Sequence, residues 1–355
     1  MESEEIHVTF PRVTSPDKNG DGRFAGRRPT MVDVAREAGV GLGTVSRVVN
    51  QDPNVRPELV ERVNAAIAAM AYQPDERARQ LRRGVSGTLG AAVRGISRVN
   101  PVLRAVERAA RRHDLMVLAT STEDDERLEK QVVMAMCRRR FDGLILEPTA
   151  ARHDYLLPEL EAGLPLVAFD RPIRDAEVDT VMCDNKRGIQ AAFRHLVEHG
   201  HRRIGYIGDH ERIFTGRERA TAFRRCVAAQ GGSIEGLTHT GDDSDLARID
   251  AALTTLFGGR WPATAVITGN ADVTINALGW LRARSHPAAI VGFDDPEVAR
   301  LLRPDITVVA QDTDVLGETA VDLLRARIAD PELPPRRVVI PIELIERGSG
   351  EQPPR

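Results

Sequence analysis

The chain has 355 residues, 42% of them hydrophobic and 28% charged, with a formal net charge of −3. This composition describes an ordinary globular protein long enough for two or three domains. There is no apolar run of the roughly 18 residues a membrane-spanning helix needs, and Glu2, Glu4 and Glu5 stand where a secretory signal is basic, so a cytoplasmic protein without membrane contact is expected. Cys137, Cys183 and Cys226 are odd in number and far apart, which fits reduced thiols rather than a disulfide framework or a zinc site. Charge is unevenly spread: residues 27–84 carry ten arginines against seven acids, while 1–26 hold three basic and five acidic groups. A small basic module on a larger acidic body suits a protein that meets phosphate at one end.

Residues 1–29 show no hydrophobic periodicity and read as a disordered leader of unassigned role. Order starts at Thr30, placed to cap a helix running from Met31, with Asp33 three residues on. Gly39 stops that helix. Val40-Gly41-Leu42 then reads as a turn, and 43–50 as a second short helix with Val45, Val48 and Val49 inward. Two short helices across a Gly-containing turn make a helix-turn-helix, completed by a third helical pattern from Leu59 to near Tyr72. The second helix presents Thr44, Ser46, Arg47 and Asn50, side chains that can hold phosphates and base edges in a major groove, with Arg47 suited to guanine. The same pattern also occurs in structural helical hairpins.

From Thr88 the texture alternates. Strand-like runs lie at 89–93, 115–119, 143–146, 166–169, 204–207, 265–267, 289–291 and 338–342, with helical stretches at 102–112, 126–139, 188–199, 218–230 and 316–328. This order predicts parallel sheets with helices on both faces, too large for one sheet, hence two lobes with a ligand cleft where strand ends converge. The fold class is therefore a small all-α helix-turn-helix headpiece plus an α/β domain of two doubly wound parallel-sheet lobes.

The wording of the headpiece decides between its two readings. Val32-Asp33-Val34-Ala35, Ala38-Gly39-Val40 and Thr44-Val45-Ser46-Arg47-Val48-Val49-Asn50, continued by Tyr72-Gln73-Pro74-Asp75 and Ala78-Arg79-Gln80-Leu81, resemble the lactose-repressor (LacI/GalR) family. The resemblance runs to about residue 345, through Arg140-Phe141-Asp142-Gly143, Phe169-Asp170-Arg171-Pro172, Gly200-His201-Arg202-Arg203-Ile204-Gly205 and Val291-Gly292-Phe293-Asp294-Asp295. It implies a DNA-binding domain over 30–74, a hinge helix over 75–84, a periplasmic-binding-protein-like domain over 85–346 for effector binding and dimerisation, and a flexible tail over 347–355. It also implies DNA contacts from Thr30, Leu42, Gly43, Thr44, Ser46, Arg47 and Asn50, with Arg77, Ala78 and a Leu81 wedge in the minor groove. Effector contacts carried over by motif are Asp170, Arg171, Thr215, Arg219, Asn270, Asp294 and Gln311. The implied function is a transcriptional regulator, a repressor as first reading, that binds operator DNA as a homodimer under control of a small molecule; a sugar is the first reading for that molecule.

Two departures from the family stand out. Gly41, Leu42 and Gly43 fill places where relatives carry polar readers, so sequence readout falls on Arg47, the hinge and DNA shape. Val102-Leu103 follow Asn100-Pro101 where relatives carry aromatics, and 241–245 contain none, which leaves Phe214, Phe293 and Trp280 as candidates for stacking on a sugar. The alternative function is a non-catalytic binding protein or an enzyme on the same scaffold. Against an enzyme, the chain lacks a Walker loop, a Gly-x-Ser-x-Gly elbow and a His-Glu-x-x-His site. No cofactor is expected. His195, His199 and His201 cluster in sequence but read as a helix end rather than a metal site. The end of the chain has no heptad repeat, which favours a dimer over a coiled-coil tetramer.

Overall fold

The computed structural model describes residues 27–73, 85–96, 100–231, 235–242, 245–258, 260 and 262–354. They fall into two units, one ending at Gly84 and the other starting at Val85.

In the first unit, helices α1 (Met31–Ala38), α2 (Leu42–Val49) and α3 (Pro57–Ala69) surround a small core. Thr30 caps α1 through its hydroxyl while the Asp33 carboxylate reaches back to the Thr30 N–H, a reciprocal capping box. Asp33 is buried and takes a fork from Arg27 at 2.7 and 2.9 Å. Hydrogen bonds from Arg27 and Thr30 hold its carboxyl well below the usual carboxylate range. Gly39 ends α1 in the left-handed region at φ 60°; a Cβ there would stand 2.8 Å from Arg62 Nη2, which donates to the Ala38 carbonyl. Helix α2 begins at Leu42 with Gly41 as its N-cap, one residue earlier than expected. Val34, Val45 and Val63 are fully buried, on the order of 1.5 to 3 kcal/mol each.

The second unit holds two six-stranded sheets. Lobe 1 orders its strands β11 (Arg337–Ile340), β5 (Asp179–Cys183), β4 (Leu166–Phe169), β3 (Gly143–Leu146), β1 (Thr88–Val93) and β2 (Met116–Ser121). Lobe 2 orders β12 (Ile342–Ile345), β10 (Thr307–Gln311), β9 (Ala289–Phe293), β8 (Ala265–Thr268), β6 (Arg203–Asp209) and β7 (Glu235–Gly241). All pairings are parallel except β10 with β12. The first sheet packs against α4 (Pro101–Arg111), α5 (Glu126–Arg138) and α11 (Thr313–Ala329), with α6 (Leu157–Glu161) following a 3-10 turn. The second packs against α7 (Asn185–Glu198), α8 (Phe214–Ala228), α9 (Leu246–Phe257) and α10 (Ala271–Ala283). Hence the chain crosses between lobes three times: after β5, after β10, and between β11 and β12. Strand order reverses beside β1 in one lobe and beside β6 in the other, and ligands of open α/β sheets sit at such switch points.

Two expectations are corrected. The run at 338–342 is not one strand: Pro341, which has no N–H for a ladder, separates β11 in the first sheet from β12 in the second. The tail over 347–355 is not flexible through the described residues 347–354. Arg347 forks onto Asp295 at 2.6 and 2.8 Å, and Ser349 Oγ donates to the Ile290 carbonyl and accepts from the Thr307 N–H. His201 Nε2 bonds the Gln352 carbonyl at 2.8 Å. Polar and backbone bonds fasten this segment, so apolar periodicity could not announce it.

Candidate functional site

The face of α2 opposite Val45 and Val48 is turned to solvent. Leu42 is 49% exposed, Gly43, Arg47 and Asn50 are exposed, and Thr44 and Ser46 are half-buried. Arg47 Nε leans on the Gly43 carbonyl at 3.4 Å, and Asn50 Nδ2 donates to the Ser46 carbonyl at 2.7 Å. A Cβ at Gly41 or Gly43 would meet nothing within 4 Å, so internal packing does not demand glycine at either position. Thr30 is exposed, but its hydroxyl donates to Asp33 as part of the cap. Arg77, Ala78 and Leu81, with the rest of the expected hinge helix, lie outside the described residues.

In lobe 1 the carboxyl ends of the strands carry an ionic cluster. Arg171, buried just after β4, places Nη1 3.2 Å from Asp124 and 3.3 Å from the Pro148 carbonyl, with Nη2 3.7 Å from Glu147 and Nε 3.5 Å from Asp170. Asp170 itself sits at φ 63°, its N–H tied to the Val181 carbonyl. Glu147 accepts from the Arg94 N–H at 2.9 Å, and Arg94 Nε lies 3.4 Å from Asp124. Burial pushes the Glu147 carboxyl up. Burial works against the Arg171 proton, but Glu147, Asp170 and Asp124 outweigh it and raise that guanidinium.

Lobe 2 builds its wall around the N-terminus of α10. Asn270 caps that helix by accepting from the Val273 N–H at 2.8 Å, and its amide donates to Asp209 at the end of β6. Asp294, at φ 67° after β9, accepts from the Ala271 N–H and from Gln311 Nε2. Two carboxylates thus attend one helix N-terminus, where the dipole favours negative charge. Arg219, buried on α8, donates to Asn185 Oδ1 at 2.7 Å and the Gly269 carbonyl at 2.6 Å while its guanidinium lies 3.8 Å from the centre of the Phe293 ring. Thr215 is buried one turn before it.

A cavity of about 320 Å³ lies between the lobes, lined by Arg94, Glu123 and Asp124 on one side and Asp209, Arg212 and Asp272 among others on the second. Arg94 Nη2 spans it, 3.6 Å from Asp272 Oδ2. The seven effector residues expected from sequence do not line this cavity directly. Arg171 reaches it through Asp124 and Asn270 through Asp209; Arg219, Asp294 and Gln311 brace the same strand ends. The residues missed were Arg94, Asp124, Asp209 and Asp272. Arg94 and Asp209 could have been found, because they close β1 and β6 at the two switch points. Of the three aromatic candidates, Phe293 is buried beneath Arg219, and Trp280 packs with Phe257 and His286. Phe214 is half-buried beside the cavity residue Ile213. Among the described residues, no helix is long and apolar enough to cross a membrane.

The family model "bacterial regulatory proteins, lacI family" matches residues 30–75, and a periplasmic binding protein-like domain model matches 193–350. The ribose operon repressor of Escherichia coli (strain K12) is 31% identical over 331 residues, 90% of this chain and 99% of that protein. A transcriptional regulator CelR in complex with cellobiose is 30% identical with a TM-score of 0.63, covering 91% of this chain and 100% of that one. The lac repressor dimer bound to operator and an anti-inducer, 23% identical, shares the fold at a TM-score of 0.79 over 91% of this chain and 99% of that one. With its headpiece, its two lobes and a relative matched along almost its whole length, the chain belongs to the lacI family of bacterial transcriptional regulators, which are DNA-binding proteins and not enzymes.

Proposed function

We propose that this regulator is a cytoplasmic homodimeric repressor whose operator affinity is set by a sugar or closely related polyol held between the lobes. The observation that carries the reading is the cleft wall. Carboxylates and guanidinium forks converge there from both lobes, the donor and acceptor set that vicinal hydroxyls require. The cavity lining contains no Phe, Tyr or Trp among the described residues, which favours a small polar ligand over one stacked on a ring. The relative named ribose operon repressor and the cellobiose complex of CelR support the class. Arg94, Asp124, Asp209 and Asp272 are the nearest contacts in this reading. Asp170, Arg171, Thr215, Arg219, Asn270, Asp294 and Gln311 stand behind these contacts and complete the effector site.

On the DNA side, Leu42, Gly43, Thr44, Ser46, Arg47 and Asn50 enter the major groove with Thr30 at the phosphates, and Arg77, Ala78 and Leu81 take the minor groove. The domain limits are 30–74, 75–84 and 85 onward. A dimer is supported by the edge strands: β2 exposes Met116 and Leu118, and β7 exposes Leu237. An isologous contact along such edges would cover them.

The test is a thermal-shift panel of pentoses, hexoses, disaccharides and their phosphates on the full chain, followed by operator binding with each hit. A true effector at 100 times its Kd should stabilise by about 2.7 kcal/mol. It should also change operator affinity by the factor by which operator changes its own. A panel with no stabilising member would remove the sugar assignment.

A further inference from the structure

We propose that His195, Glu346 and Glu351, none of them lining the cleft cavity, form a binding site on lobe 2 for a divalent cation of the zinc class. His195 lies on α7, and the two glutamates flank the segment that runs from β12 into the terminal stretch. One donor atom of each residue falls within 4.8 Å of the others. An imidazole with two carboxylates is a donor set that zinc accepts, with bonds of about 2.0 to 2.2 Å and a remaining position for water.

Three observations point to a ligand rather than to a simple ion pair. His195 is 3% exposed, and its Nε2 is buried without a hydrogen bond: Glu351 Oε1 lies 3.1 Å away but out of line for one. Gly350 packs against the same nitrogen: a Cβ there would stand 2.9 Å from Nε2, so any other residue would cover it. Glu351 is already oriented, both its oxygens lying within reach of the Thr307 hydroxyl at 3.1 and 2.9 Å. Glu346, whose Oε1 lies 3.5 Å from Nδ1 of the same ring, is 65% exposed and can swing to complete the set.

The neighbouring histidines are committed elsewhere. His199 ends α7 with Nδ1 on the His195 carbonyl, and His201 bridges Thr264 and the Gln352 carbonyl. The ion would therefore tie α7 to the terminal segment, whose Ser349 joins β9 to β10. Its loss would loosen lobe 2.

The experiment titrates the full chain, stripped by chelator, with Co²⁺ and reads the visible ligand-field bands, then displaces Co²⁺ with Zn²⁺ and records the thermal midpoint. One equivalent of Co²⁺ is expected, displaced by Zn²⁺, which should raise the midpoint. His195→Gln and Glu346→Gln should each weaken binding at least tenfold. Glu346 is exposed, so Glu346→Gln leaves the fold in place and decides the matter if His195→Gln folds poorly. Absence of binding, or binding equally tight in Glu346→Gln, would overturn the site.

Discussion

The exposed face of α2 and the walls of the cleft hold their functional side chains in opposite ways. Arg47 and Asn50 make hydrogen bonds that stay local to α2, to the Gly43 and Ser46 carbonyls, and a Cβ at Gly41 or Gly43 would meet nothing within 4 Å. In the cleft, Arg171, Arg219, Asn270 and Asp294 are bonded to strand ends, carboxylates and a helix N-terminus. Truncation of the exposed side chain Arg47 or Asn50 should therefore report on DNA alone, whereas substitutions in the cleft change ligand response and stability together.

The largest effect expected is for Arg219→Ala. It strands the buried Asn185 Oδ1 and Gly269 carbonyl and empties the space over Phe293. Stability of the two-lobed unit should fall by about 3 to 5 kcal/mol, read from the urea midpoint. A loss under about 1 kcal/mol would mean that the network is ornamental and the comparison with α2 fails. Next comes Arg47→Ala, which should weaken operator binding by about 1 to 3 kcal/mol while leaving the unfolding curve in place. Gly43→Ala should act with the reverse sign on stability. A Cβ meets nothing there, so the headpiece should gain roughly 0.5 to 1 kcal/mol, with altered operator preference if DNA approaches that backbone. Headpiece melting and operator affinity measured on one variant separate the two.

The smallest effect is one of pH. Burial holds His201, His239 and His286 below the ordinary 6.5. Below pH 6.5 the unfolded chain takes up protons at these positions before the folded one does. Stability from this source is thus full above pH 6.5 and declines as pH falls toward the lowered folded values. Thermal midpoints across pH 7.5 to 5.5 should drift downward, and substitution of His286 by Gln should flatten part of the slope.

The headpiece was legible almost residue by residue, because Thr30, Asp33 and Gly39 signal their cap and stop through local chemistry. The lobes were legible wherever strands are apolar. The short apolar runs 181–183 of β5 and 308–310 of β10 were not recognised as strands, β7 escaped because Thr238, His239 and Thr240 break its apolar pattern, and the Pro341 switch escaped because 338–342 reads as one run. In the cleft, motif resemblance found the bracing residues Arg171, Arg219 and Asp294. It missed Arg94 and Asp272, whose importance comes from facing each other across two lobes nearly 180 residues apart in sequence. The end of β1 could have pointed to Arg94, but nothing local to Asp272 reveals the pairing.

Whether the protein reads an operator as a dimer is decided by selecting bound fragments from a pool of random duplex DNA with the full chain and sequencing them. A dimeric reader should select a palindrome of roughly 14 to 20 base pairs with half-sites about one helical turn apart, and lose it in Arg47→Ala. A selected pool without enrichment at moderate salt, or enriched for a single unrepeated half-site, would contradict dimeric recognition.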